Sequence, residues 1–252
     1  MSWNSVCDQK TGGGRWEPTE GMVKLISRFV QRRVGVDQYL VKKQVSLALD
    51  CGCGNGNIVS FLERQGVQCI GIDLSDYAIA NAKMRLLKDG VSNSSLHATD
   101  VEKMDFDEEM FDLIISDGVL DHIPFEKAKR IVSSFYRYLK KGGYLFISLR
   151  SITDSECGRG EIIDKNTYLL ENGYEDGELQ HFFDIREIDE LLNNFKVFDL
   201  ELHEEIYPSF FSLDKAFLQS SQGQKTYIHN LDHVFDEGFL KSSRYYIAAE
   251  KL

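Results

Sequence analysis

Residues 50–57 read Asp-Cys-Gly-Cys-Gly-Asn-Gly-Asn and follow a short apolar run, Leu47-Ala48-Leu49. Two kinds of chemistry compete for this stretch: metal or redox chemistry on the cysteines, and ligand binding by a turn built on the glycines. A structural zinc site needs about four Cys or His ligands, and no second pair stands at metal spacing. A thioredoxin-like site needs C-x-x-C, whereas this is C-x-C. Metal is therefore not expected. Gly52, Gly54 and Gly56 suit a turn with positive φ values that a ligand can approach closely. The dinucleotide fingerprint G-x-G-x-x-G fails in both frames, because Asn57 and Val59 stand where its last glycine belongs. Acidic residues follow at further apolar segment ends: Asp73 in "GIDLS", Asp100 in "HATDVEKM", and Asp117 and Asp121 in "FDLIISDGVLDHI".

The elements that would position these residues alternate. Strands are expected at 46–50, 68–73, 94–100, 111–117 and 144–150, separated by helices at 58–66, 75–90 and 125–143. Near-continuous apolar strands of this kind form a parallel sheet covered on both faces. After Arg150 the rhythm breaks. Residues 151–183 and 209–242 read as insertions around a helix at 184–195 and a strand at 196–208, and a last strand closes the chain from 243. Residues 18–35 read as a helix with Met22, Leu25, Ile26, Phe29 and Val30 toward a core and Pro18 in its first turn. Residues 1–17 read as an arm or lid.

The pattern D-x-G-x-G-x-G over Asp50, Gly52, Gly54 and Gly56, with "GIDLS", "HATDVEKM", "FDLIISDGVLDHI" and "LKKGGYLFIS" in order, resembles the class I S-adenosylmethionine-dependent methyltransferases of small-molecule type. The resemblance spans most of residues 45–150. It implies a single α/β domain over 1–252, doubly wound and Rossmann-like. The sheet would be mostly parallel and seven-stranded, in order 3-2-1-4-5-7-6 with the last strand antiparallel and helices on both faces. It implies S-adenosyl-L-methionine as cofactor and S-adenosyl-L-homocysteine as product. The implied cofactor residues are Asp50, Gly52, Cys53, Gly54, Gly56, Asp73, Leu74, Asp100, Val101, Asp117 and Gly118. Asp73 would accept from both ribose hydroxyls, with Asp100 and Val101 at the adenine. The sequence departs from the nucleobase amino-methyltransferases, having "SDGVL" where they carry N-P-P-Y or D-P-P-Y. It also lacks the paired-glutamate loop of protein arginine methyltransferases.

A sulfonium methyl is already activated, so alignment and exclusion of water do most of the work. A hydroxyl acceptor benefits from a base. His122 beside Asp121 is the first candidate and His181 the second. Residues 1–35 would form a lid, with Trp16 over the cofactor and Arg15 at the rim, and the two insertions would form the acceptor side. Arg15, Arg150 and Arg159, with Lys165 and Arg186 nearby, suggest a small anionic acceptor methylated at oxygen. The segment after the fifth strand resembles bacterial methyltransferases of saccharide and phosphorylated-metabolite pathways. Alternatives are an S-adenosylmethionine-binding regulator without transfer, or a dinucleotide oxidoreductase.

Composition narrows the partners. Forty acidic against 29 basic residues leave a net charge of −11, which opposes a phosphate backbone, so no nucleic acid is expected. No run approaches the roughly 20 apolar residues of a membrane span, so no membrane partner is expected. The start lacks the order of a signal peptide. Cys7, Cys51, Cys53, Cys69 and Cys157 are odd in number and irregular in spacing, which suits free thiols in a cytoplasmic location.

Overall fold

A computed structural model describes residues 17–36, 38–91, 95–171, 177–208 and 239–252. Arg15, Trp16, Cys7 and residues 209–238 lie outside the described residues.

The strands of the expected sheet form where apolar runs are buried on both faces: β3 (Leu47–Cys51), β4 (Gln68–Asp73), β5 (Ser95–Ala98), β6 (Phe111–Asp117) and β7 (Leu139–Arg150). They are completed by β11 (Phe195–Pro208) and β12 (Phe239–Lys251). The order is β5-β4-β3-β6-β7-β12-β11, with β12 antiparallel to both its neighbours. This is the expected 3-2-1-4-5-7-6 order. Along β7, Leu145, Ile147 and Leu149 face one core while Phe146 faces the other.

Helices cover both faces. On one side α1 (Glu20–Leu25), α2 (Asn57–Glu63) and α3 (Asp76–Lys88) pack against the sheet. On the other side α4 (Phe125–Tyr138) and α5 (Ile185–Leu191) do so. Ser75 caps α3 by accepting from the Ala78 N–H. Asp184 and Glu187 close a capping box on α5, satisfying donors that would otherwise be orphaned.

Three boundaries differ from expectation. The helix expected over 18–35 starts after a Thr19 cap, leaving Pro18 outside it, and turns through a π-helical stretch, Ile26–Val30. The chain then enters a hairpin of β1 (Gln31–Gly35) and β2 (Gln38–Val41). Helix α4 ends at Tyr138, so Lys140 and Lys141 stand in β7 and only Arg137 supplies a cation to its last turn. The Lys-Lys-Gly-Gly segment is a register shift between Phe111↔Leu139 and Leu113↔Tyr144. Helix α5 stops at Leu191, where a turn from Leu192 to Phe195 delivers the chain to β11.

The long connection after β7 is not irregular. It contains a three-stranded antiparallel sheet of β8 (Glu161–Asp164), β9 (Thr167–Leu169) and β10 (Leu179–His181). Ser151 donates its N–H to Ser243, and Ser155 donates to Lys241, so the connection starts by continuing along β12.

Candidate functional site

At the carboxyl ends of the parallel strands lies a cavity of about 410 Å³. Gly52, Gly54, Asp73, Leu74, Asp100, Val101, Gly118 and His122 line it, together with Ile72, Thr99, Glu102, Val119 and Ile123, which the sequence reading did not single out. Open α/β sheets bind ligands at this edge, where strand order reverses; here β3 has its successor β4 on one side and β6 on the other.

The glycine turn is built by φ values of +78° at Gly52, +49° at Gly54 and +75° at Gly56. A Cβ at Gly52 would stand 2.1 Å from Val119 Cγ2, whereas at Gly54 it would meet nothing within 4 Å. The first glycine thus allows the turn to pack on the loop after β6, and the second keeps open the side facing the cavity. Gly56 begins α2 and packs on Ala82, so it shapes the turn without lining the cavity.

Asp73 accepts one backbone N–H on each oxygen: Gly54 at 2.8 Å and Ser75 at 2.8 Å. Each oxygen retains acceptor capacity toward the cavity edge, the arrangement a pair of vicinal hydroxyls requires. Burial raises its pKa, and those two N–H groups work against the rise. Asp50 lies beneath the turn with its Oδ2 buried and without a hydrogen-bond partner among the described residues. Burial, then the neighbouring charges of Asp117 and Asp73, push its pKa well up. A cationic or hydrogen-bonding ligand group would answer both the orphaned oxygen and this concentration of acid. Asp100 caps the short turn Val101–Lys103 through the Glu102 N–H, at the cavity wall.

The turn after β6 is fixed by a polar network. Asp117 accepts from Ser148 Oγ at 2.5 Å and from Thr19 Oγ1 at 2.8 Å. Ser148 Oγ in turn accepts from the Gly118 N–H at 3.0 Å and from Arg244 Nη1 at 3.2 Å. Asp121 is fully buried and accepts from Arg244 Nη1 and from the Arg150 N–H. Burial opposes charge on Arg244, but Asp121 and Asp117 outweigh it and raise its pKa above the ordinary value. Asp117 and Asp121 therefore stand behind the cavity wall rather than on it. Of the fourth motif, Gly118 and His122 reach the cavity.

His122 has its Nδ1 at 3.3 Å from the Leu179 carbonyl on β10. A carbonyl can only accept, so Nδ1 carries the hydrogen of this contact. His181 is elsewhere: fully buried, 2.8 Å from Thr167 Oγ1, and packed between Phe125 and Phe183. Burial lowers its pKa, against the opposing charge of Glu187. The Arg150 guanidinium is held by Asp154 and Glu156 and lies over the Phe182 ring. Lys165 pairs with Asp184 and Glu187. Arg159 and Arg186 are exposed. Cys51, Cys53, Cys69 and Cys157 are free thiols; burial raises the pKa of the first three well above the ordinary value.

Residues 49–147 match the family model described as "Methyltransferase domain". The chain is 28% identical over 138 residues to a ubiquinone biosynthesis O-methyltransferase of Cronobacter sakazakii, covering 53% of this chain and 55% of that protein. It thus spans about half the length of the curated relatives it matches. Among solved structures, a SAM-dependent methyltransferase from Methanosarcina mazei superposes with a TM-score of 0.63 at 19% identity, covering 83% of this chain and 94% of that one. A 1,6-didemethyltoxoflavin-N1-methyltransferase of Burkholderia thailandensis, solved with 1,6-didemethyltoxoflavin and S-adenosylhomocysteine, does so with a TM-score of 0.55 at 16% identity, covering 92% and 76%. These structural likenesses establish the fold. Among the described residues no helix is long and apolar enough to cross a membrane.

Proposed function

We propose that the chain, whose residues 49–147 match a methyltransferase domain, is an S-adenosylmethionine-dependent methyltransferase that transfers a methyl group to an oxygen of a small acceptor. The observation that carries this reading is Asp73, whose two oxygens each hold one backbone N–H and face a cavity edged by Gly54. S-adenosylmethionine, when bound, supplies a methyl group already activated on sulfur. Asp73 would hold the ribose hydroxyls, with Leu74, Asp100 and Val101 around the base. The turn backbone from Gly52 to Gly54 and the wall at Gly118 would hold the remainder. The partnerless Asp50 Oδ2 supports a fit to a ligand carrying cationic groups.

His122 is the base this reading assigns. The Leu179 carbonyl orients its ring through Nδ1, and the neutral imidazole would take a proton from an acceptor hydroxyl. Asp121 and Arg244 act through the turn that carries it, and His181 supports the small sheet from within. Oxygen as the accepting atom is supported by the O-methyltransferase relatives. For an anionic acceptor, support comes from Arg159, which is exposed and makes no side-chain bond among the described residues. The insertion around β8–β10, which reaches His122 through Leu179, would form one wall of the acceptor side.

Calorimetry with S-adenosylhomocysteine tests the core of this reading. Asp73→Ala removes charge-assisted contacts of about 1.5–3 kcal/mol, so affinity falls about tenfold or more. Unchanged affinity in a folded variant overturns the assignment. Methyl transfer to a panel of hydroxylated acceptors, with and without carboxylate or phosphate, then tests the acceptor class. The absence of transfer to any of them, with cofactor binding intact, favours a binding protein without transfer.

A further inference from the structure

A second cavity, of about 470 Å³, lies between α1, the β1–β2 hairpin and α2, away from the glycine-turn cavity. Its volume falls in the range of small-molecule sites. Among the described residues, Arg32, Arg33 and Arg64 line it with a single acid, Glu17, although the chain as a whole is strongly acidic. Tyr39 and Phe61 add aromatic surface to the lining.

The cations are unevenly engaged. Arg64 is paired with Asp89. Among the described residues Arg33 uses only its Nε, on the Gly35 carbonyl of its own hairpin, which leaves both terminal nitrogens as donors. Arg32 makes no hydrogen bond or ion pair among the described residues. Tyr39 stands opposite Arg33 in the hairpin register and so shares its face, and its hydroxyl makes no bond among the described residues. Guanidinium donors without acceptors, beside aromatic rings, match an oxyanion carried on a flat apolar body.

We propose that this groove is a second ligand site, for a small aromatic phosphate or carboxylate. It is distinct from the cofactor cavity and shares no lining residue with it among the described residues. The groove nevertheless reaches Asn57, which starts α2 directly after Gly56, so an occupant touches the helix that anchors the glycine turn. Charge argues against the chain's own arm as the occupant: residues 1–16 carry Lys10 and Arg15 against Asp8 alone.

The test is calorimetry on the full chain with phenyl phosphate, benzoate and inorganic phosphate, each with saturating S-adenosylhomocysteine present to keep the probes out of the cofactor cavity. Phenyl phosphate or benzoate is expected to bind, more tightly than inorganic phosphate. Arg32→Glu/Arg33→Glu is expected to weaken that binding about tenfold or more, while S-adenosylhomocysteine affinity and the thermal midpoint stay unchanged. Three results overturn the proposal: neither aromatic probe binds, binding survives the charge reversal, or binding appears only after residues 1–16 are deleted. The last would make the arm the occupant.

Discussion

Arg244 on the last strand and Asp121 in the turn after β6 meet at 2.5 Å, across 123 residues of sequence. The pair ties the antiparallel edge of the sheet to the loop carrying Gly118 and His122. Because Asp121 is fully buried, truncating Arg244 leaves a carboxylate without its counter-ion. Arg244→Ala should cost about 3 kcal/mol, and Asp121→Asn in the same background should recover part of it. Urea denaturation of the two single variants and the double variant measures the coupling; additive effects would show that the pair does not act as a unit.

Asp50 makes stability depend on pH. Burial raises its folded pKa above the usual 3.8, so the folded chain binds this proton more tightly than the unfolded chain does. The resulting stability is fully present below about pH 3.8 and is lost as pH rises through the folded value. Asp50→Asn removes this dependence. Its denaturation midpoint should gain on the wild type from pH 4 toward pH 8, and parallel curves would show that the carboxylate is not the titrating group.

Cys51 and Cys53 sit in the turn as protonated, buried thiols. The change Cys51→Ala/Cys53→Ser should cost about 1–3 kcal/mol of stability, through lost packing and a newly buried hydroxyl. S-adenosylhomocysteine affinity should stay within about threefold of the wild type, since the backbone forms the cradle. A loss of binding together with loss of a stoichiometric metal would reverse this reading.

Helix α1 carries its own cap in Thr19, and Gly21 lets it pack directly on the Tyr246 ring. Removing residues 1–16 should therefore leave the domain folded. If the arm closes over the cavity, turnover falls and S-adenosylhomocysteine no longer slows proteolysis. Full activity in the shortened chain would make the arm dispensable.

The glycine turn, the acid at the end of β4 and the alternation of strands with helices were legible because each rests on local spacing, whereas the sheet order followed only from the family resemblance. The Arg244–Asp121 and Thr19–Asp117 contacts were not, since partners 123 and 98 residues apart leave no periodic trace. Nor does a lone histidine announce its surroundings, and His181 proved to be core. Strand β1 read as the end of a helix because Gln, Arg and Arg tolerate either state. The pairing of Arg33 with Tyr39 decides it, and that pairing is tertiary information.

The pair Pro208↔Phe239 closes the β11–β12 ladder at the same edge of the sheet as the glycine turn. The 30 residues of sequence between them are bracketed by a single rung. Their replacement by a segment of another length changes closure entropy by only about 0.6 kcal/mol per doubling. The rung thus gives a fixed pair of ends between which that stretch can be exchanged by design. Grafting in the corresponding stretch of a related protein would test whether it bears on the acceptor, the strand ends at Pro208 and Phe239 being kept.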